Sequence, residues 1–255
     1  MARAGPRWPR DDAGIVPDVS HHNGGQELPM NMTQPVVRAR WCDIDRIADL
    51  VTETLTTTGL GAWLVPNERR RPTILAAVAR IWIEHALLFG DAFLLPNGTA
   101  ATVWFHRYRP IPPPARYADR LTEACGAHLN HFLQFDQALA ARRPTEAHNH
   151  LALLAAPGPA ESGHAAAVLA GAQQRMDTLN LPTYAEIFTD ADRKLLRRHA
   201  YTHRDVVPLD DHTTAHAMWR SSPLWKGRSS RNARSAARRP LVLPHDNPST
   251  RWALH

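Results

Sequence analysis

From Asn149 to Ala156 the chain is almost wholly apolar after its first residues. Pro157, Gly158 and Pro159 follow at once, and then Ala165, Val168, Leu169, Ala172, Met176 and Leu179 recur at helical spacing. A strand without polar alternation must be covered on both faces. This one stretch, strand then tight loop then helix, therefore predicts a sheet with helices on either side.

The remaining elements agree. Val36 to Trp41 alternates apolar and basic residues like an opening strand, and Asp43 is placed to cap a helix carrying Ile44, Ile47, Ala48, Val51 and Leu55. A second helix from about Pro72 puts Ile74, Val78, Ile81, Trp82, His85, Leu88 and Phe89 on one stripe and is expected to stop at a left-handed Gly90. Ala92 to Leu95 and Thr99 to His106, joined through Asn97-Gly98, read as a hairpin. After Pro110 to Pro114, one long helix from Tyr117 to Leu139 is predicted, ended by Pro144. Thr183 to Phe188 reads as a strand. Thr189 with Asp192 forms a capping box for a helix to His199, and Tyr201 to Val207 and Thr213 to Trp219 close the body as two strands. The fold class is α/β (α+β), with a mixed sheet between layers of helices.

The limits of the body follow from charge and composition. The net charge of +6 resides in the last 35 residues: from Ser221 to His255 there are seven Lys or Arg against one acid, Asp246. A Ser/Arg/Pro-rich tail of this kind cannot bury enough apolar surface to fold, so 221–255 is expected to be a disordered basic tail, with polyanion contact as its functional reading. Residues 1–34, rich in Gly, Pro, Asp, His and Asn, are expected to be disordered too, leaving 35–220 as one domain. No apolar run reaches the ~18 residues of a membrane span. No secretory signal follows the basic N-terminus, so the expected compartment is the cytoplasm. Cys42 and Cys125, without a second pair, exclude a disulfide framework and are read as buried thiols.

In the element order and in three strings, His148 to Leu169, Thr183 to Tyr201 with its Arg-Arg-His-Ala-Tyr ending, and Ala217 to Arg220 (Ala-Met-Trp-Arg), the body resembles the GNAT superfamily of N-acetyltransferases. The resemblance covers about residues 35–220. It implies a GNAT-like acyl-CoA N-acyltransferase fold, with a mostly antiparallel sheet of about seven strands. It also implies transfer of an acetyl group from acetyl-CoA to a small-molecule amine.

Such a reaction needs a pyrophosphate anchor, a proton acceptor for the amine and a proton donor for the thiolate. The family anchors pyrophosphate with Gln/Arg-x-x-Gly-x-Gly/Ala at a helix N-terminus. Aligned without gaps, this pattern falls on Glu161, Ser162, Gly163, His164, Ala165 and Ala166, where only Ala166 fits. A Glu161 anion at ~4 Å from phosphate would oppose binding by about 4 kcal/mol at an effective dielectric of 20. His164 replaces a glycine, although a protonated imidazole would offset some of that repulsion. Asp192 stands at the family's cofactor-contacting Asn, and Leu196 stands at its proton-donating Tyr. The motif is degenerate, and restoring the hydroxyl with Leu196→Tyr is expected to raise turnover.

Other features survive. Leu153, Leu154 and Ala155 offer strand backbone to pantetheine, and the amides from Ser162 onward can form an anion nest. Strand alternation puts His148, His150, Ala152 and Leu154 on one side, with His148 or His150 as the candidate base. Glu186, the Glu of the family's sheet string, is the third candidate catalytic residue, with a sheet-bound structural carboxylate as its other reading. His128 with His131, His148 with His150 and His212 with His216 do not define a third metal ligand, so no metal is expected. Trp63, Trp82 and Trp104 are read as core or pocket wall, and so is Trp41. The alternative to an enzyme is a catalytically inactive GNAT-fold binding or regulatory module whose basic tail contacts nucleic acid or a partner.

Overall fold

The computed structural model describes residues 35–210 and 212–222. The expected disordered segment 1–34 and all but the first two residues of the basic tail lie outside the described residues. The chain opens with β1 (Val37–Arg38), then α1 (Ile44–Thr56), α2 (Gly59–Leu64), α3 (Arg71–Phe89), β2 (Gly90–Leu94) and β3 (Ala101–Arg107). It continues through α4 (Tyr117–Cys125), α5 (Leu129–Arg142), β4 (His148–Ala155), α6 (His164–Asp177), β5 (Thr183–Ile187), α7 (Asp190–Arg198), β6 (Thr202–Pro208) and β7 (Thr214–Arg220). The seven strands form one sheet in the order β1-β2-β3-β4-β5-β7-β6. Every pairing is antiparallel except β4 with β5.

Each face of the sheet has its own core, as the apolar β4 requires. On one face Ile47, Val51 and Leu55 of α1, Ile74 and Val78 of α3, Leu121 of α4 and Phe132 and Phe135 of α5 pack with Val103 and Phe105. On the other, Val168, Leu169, Ala172 and Met176 of α6 and Leu195 and Leu196 of α7 pack with Trp104, Leu151, Ala185 and Met218. α3 has the length and hydropathy of a membrane span, but its Ile74, Leu75, Val78, Ala79 and Ile83 are core residues packed over the sheet.

Several local expectations change in three dimensions. Gly90 is not a left-handed helix stop but extended backbone, φ −173°, and the first residue of β2. A Cβ there would lie 2.0 Å from the Trp104 carbonyl oxygen, so the glycine allows close approach of strands, not a turn. The single long helix is two, α4 and α5, broken where Gly126 takes φ +52°. Asp43 accepts from the Arg40 amide at 2.7 Å and does not cap α1. Cys42 and Trp41 are exposed; only Cys125 is a buried thiol. Thr189 caps α7 as read, accepting from the Asp192 amide at 3.1 Å.

Candidate active site

β4 and β5 run parallel and are paired only from Asn149 to Leu151 and from Thr183 to Ala185. Beyond those residues they diverge. β4 continues to Ala155 held by β3, and β5 continues to Ile187 held by β7, leaving a fork between them. The β4 backbone beyond Leu151 therefore has one edge without a strand partner. A bulge sharpens the change: Val103 pairs with Leu153 and Trp104 with Leu151, so Ala152 is the extra residue. It breaks the alternation expected of β4. Ala152 and Leu153 pack with the α1, α3 and α5 core, whereas Leu154 packs with the α6 core.

A cavity of about 150 Å³ opens at the fork. Its walls come from five regions: Thr54, Leu55, Thr58 and Leu60 around the α1–α2 turn, Trp82 of α3, Val103 and Phe105 of β3, Phe135, Asp136, Leu139 and Arg143 at α5, and the two diverging strands with Phe188, Thr189 and Asp192. The lining is mainly apolar and aromatic. Phe135 lies 6.0 Å from Trp82 and 5.7 Å from Phe188 between ring centroids. Because Leu154 and Ile187 also line it, the cavity reaches through the fork to the α6 side.

The fork holds a buried polar chain. Arg107 Nε donates to His150 Nδ1 at 3.1 Å, and His150 Nε2 bonds Glu186 Oε2. Since Nδ1 accepts, the proton of a neutral His150 is on Nε2 and is donated to the carboxylate. Burial lowers the His150 pKa, which agrees with a neutral ring. Burial alone would raise the Glu186 carboxyl, but the His150 contact and the Arg143 charge outweigh it and hold it below the usual carboxylate range. Glu186 is thus an anion, only 5% exposed, whose Oε1 makes no well-formed hydrogen bond among the described residues, although the Tyr184 hydroxyl is close enough to help hold the carboxylate. Arg107 is pushed down to about 10 by burial and then by Arg143, and stays charged at neutral pH.

The three candidate catalytic residues consequently separate. Glu186 and His150 both line the cavity, but both nitrogens of His150 are engaged, so it orients the carboxylate and has no free lone pair. His148 lies outside the lining. Its Nδ1 donates to the Glu146 carbonyl at 2.6 Å, its Nε2 is buried without a partner, and burial lowers it to about 4. Tyr184, also fully buried, packs against both histidines with its hydroxyl within reach of Glu186.

The anchoring loop is on the α6 face. Glu161, Ser162 and Gly163 are exposed, and His164, Ala165 and Ala166 open α6, whose first intrahelical bond runs from Ala167 N to Gly163 O at 2.9 Å. The amides of His164 to Ala166 thus have no intrahelical acceptor, as in any helix start. Gly163, directly before α6, takes φ +73°, a conformation that favours glycine. Exposed to solvent, the Glu161 charge is screened far below the penalty expected for it.

Asp192 lines the fork, hydrogen-bonded by Thr189 Oγ1 at 2.7 Å, and burial raises its carboxyl. Leu196, one turn on, is fully buried with Leu151, Leu169 and Tyr201. It does not line the cavity at the fork.

Sequence reasoning missed Arg107, Asp136 and Arg143. Asp136 accepts from Tyr117 Oη at 2.6 Å, and burial raises its carboxyl. No glycine or histidine spacing marks these residues. The one available signal was Phe135, on the apolar stripe that delivers Asp136 beside it.

No protein-family model and no curated protein matches the sequence. Among solved structures, the chain is similar to a histone acetyltransferase HPA2 and related acetyltransferase from Corynebacterium glutamicum, at TM-score 0.58 and 21% identity over 75% of this chain and 97% of that one. It is also similar to the polyamine N-acetyltransferase of Drosophila melanogaster, which forms N-acetylagmatine, at TM-score 0.53 and 14% identity over 72% and 97%. The likeness to these structures over nearly their whole lengths, together with a mostly antiparallel seven-stranded sheet between helices, gives this chain the fold of the GNAT N-acetyltransferases.

Proposed function

We propose that the protein is an N-acetyltransferase that moves an acetyl group from acetyl-CoA to a small primary amine. The observation that carries this reading is the fork itself, open through the sheet, with an ionised Glu186 lining the cavity beside it.

The residues present fit acetyl-CoA through backbone groups. The free edge of β4 at Leu153, Leu154 and Ala155 offers hydrogen bonds of the kind pantetheine amides make. The α6 amides of His164, Ala165 and Ala166 offer donors and a helix dipole to pyrophosphate. When bound, acetyl-CoA supplies an activated acyl carbon and a thiolate leaving group.

The chain's own groups handle orientation and protons. Glu186 Oε1 holds the incoming ammonium by a charge-assisted hydrogen bond, and His150 with Arg107 fixes the carboxylate from behind. The held ammonium first releases one proton to solvent, which frees the nitrogen lone pair; as that nitrogen bonds to the acyl carbon and the carbon–sulfur bond breaks, it gives its second proton to Glu186. Leucine at 196 has no proton for the thiolate. Asp192, whose carboxyl burial raises, is the α7 group at the fork placed to pass one on. The apolar walls exclude water that would compete as acceptor.

The test is amine-dependent release of CoA thiol by the full-length protein, with acetyl-CoA affinity measured by calorimetry. Release that Glu186→Gln lowers about 100-fold or more, with the melting temperature kept, supports the reading. Absence of both release and acetyl-CoA binding overturns it.

A further inference from the structure

Arg107 and His148 are direct partners at the end of the β3–β4 ladder, so a tight turn could join these neighbouring strands. Instead residues 108–147 leave the sheet, form α4 and α5, and return. The excursion lays Phe135, Asp136, Leu139 and Arg143 over the cavity at the fork. A segment unnecessary for connecting two strands thus supplies one whole wall of the site.

Resting on the acetyltransferase reading, we propose that this inserted helix pair is the specificity element of the enzyme, and that it selects a primary amine carried by a compact apolar group of about one ring, excluding polyamines and lysine side chains. Size is the first reason. A mainly apolar cavity near 150 Å³ has room for a group of about benzene's size. The second reason is shape: Trp82, Phe135 and Phe188 form a connected aromatic wall, suited to a flat or branched hydrocarbon.

Charge supplies the third reason. Glu186 is the lining carboxylate held in its ionised form, one site for one ammonium. Arg143, with a buried and unpartnered Nε, lines the same cavity, and its cation repels a second ammonium. The two other carboxyls of the lining are each already bonded by a hydroxyl, Asp136 by Tyr117 and Asp192 by Thr189. A dication would therefore place its second charge near a guanidinium and among rings and leucines, with its hydration lost and only these bonded carboxyls to receive it.

The experiment compares 2-phenylethylamine, 3-methylbutylamine, spermidine and a lysine peptide with the full-length protein, by thiol release and, separately, by calorimetric binding of each amine. Wild type is expected to favour the two apolar amines over spermidine by about tenfold or more in kcat/KM. Leu139→Trp, at a half-buried roof position, should fill the cavity and raise KM for both apolar amines at least about tenfold with little change in kcat. Phe135→Ala should admit spermidine if it folds; Leu139→Trp carries the test if it does not. Faster acetylation of spermidine or of the peptide overturns the inference and leaves the acetyltransferase reading standing. Apolar amines that bind, lose binding in Leu139→Trp and are never acetylated support the pocket assignment and overturn the activity instead. Absence of both binding and turnover overturns both.

Discussion

His150 and Glu186, 36 residues apart, meet where the paired part of β4 and β5 ends, and the histidine spends its only N–H on the carboxylate. The relation fixes the ionic form of each: a neutral ring that accepts from Arg107, and a carboxylate anion.

Glu186→Gln keeps the shape and removes the charge. We expect kcat/KM for the best amine to fall about 100-fold or more, and the melting temperature to change little, since Gln can still accept from His150. His150→Phe should lower kcat through misplacement of Glu186. An unchanged rate in both variants would remove the carboxylate from the mechanism.

His148 makes a prediction about acid stability. Its folded pKa of about 4 lies below the usual 6.5, so the unfolded chain binds the proton first as pH falls. The group contributes nothing to the pH dependence above about 7, and stability is lost from about pH 6.5 down through 4, by at most about 3 kcal/mol. Melting curves at pH 7, 5.5 and 4.5 should therefore show a smaller acid loss in His148→Gln than in wild type, with no change in the kcat profile above pH 6.

Leu196→Tyr is expected not to raise turnover, in contrast to the expectation from the family pattern. The leucine is fully buried among Leu151, Leu169 and Tyr201, and a larger polar side chain there should cost about 1–3 kcal/mol. A variant that melts at the wild-type temperature and turns over faster would refute this. Asp192→Asn is the complementary change: losing the carboxyl at the fork should lower kcat about tenfold while acetyl-CoA affinity is retained.

Gly163→Ala tests the α6 anchor. A Cβ there meets nothing within 4 Å, so only the positive φ opposes it, at a cost of about 1 kcal/mol. Weaker acetyl-CoA binding by several-fold in calorimetry, with amine binding unaltered, is the expected result.

What could be read along the chain was whatever repeats locally. The double-faced β4, the Thr189 cap, the stripe on α6 and the Asn97-Gly98 turn each declare themselves within ten or so residues, because burial and backbone geometry act on near neighbours. Glu186 and His150 could be nominated singly for the same reason. The two helices read as one, and the Gly90 read as a stop, show the limit: whether a glycine turns the chain or makes room depends on what approaches it, here the Trp104 carbonyl.

The site itself belongs to the tertiary structure. The fork exists because β4 is held by β3 and β5 by β7 while the two diverge from each other, and no stretch of either strand encodes that separation. The ionic state of Glu186, the engagement of His150 and the roof of Phe135, Leu139 and Arg143 arise from groups tens of residues apart, brought together only when two cores close on opposite faces of one sheet. Sequence periodicity determines which side of an element is buried; desolvation and charge pairing are set by what arrives on that side, and packing alone decides it.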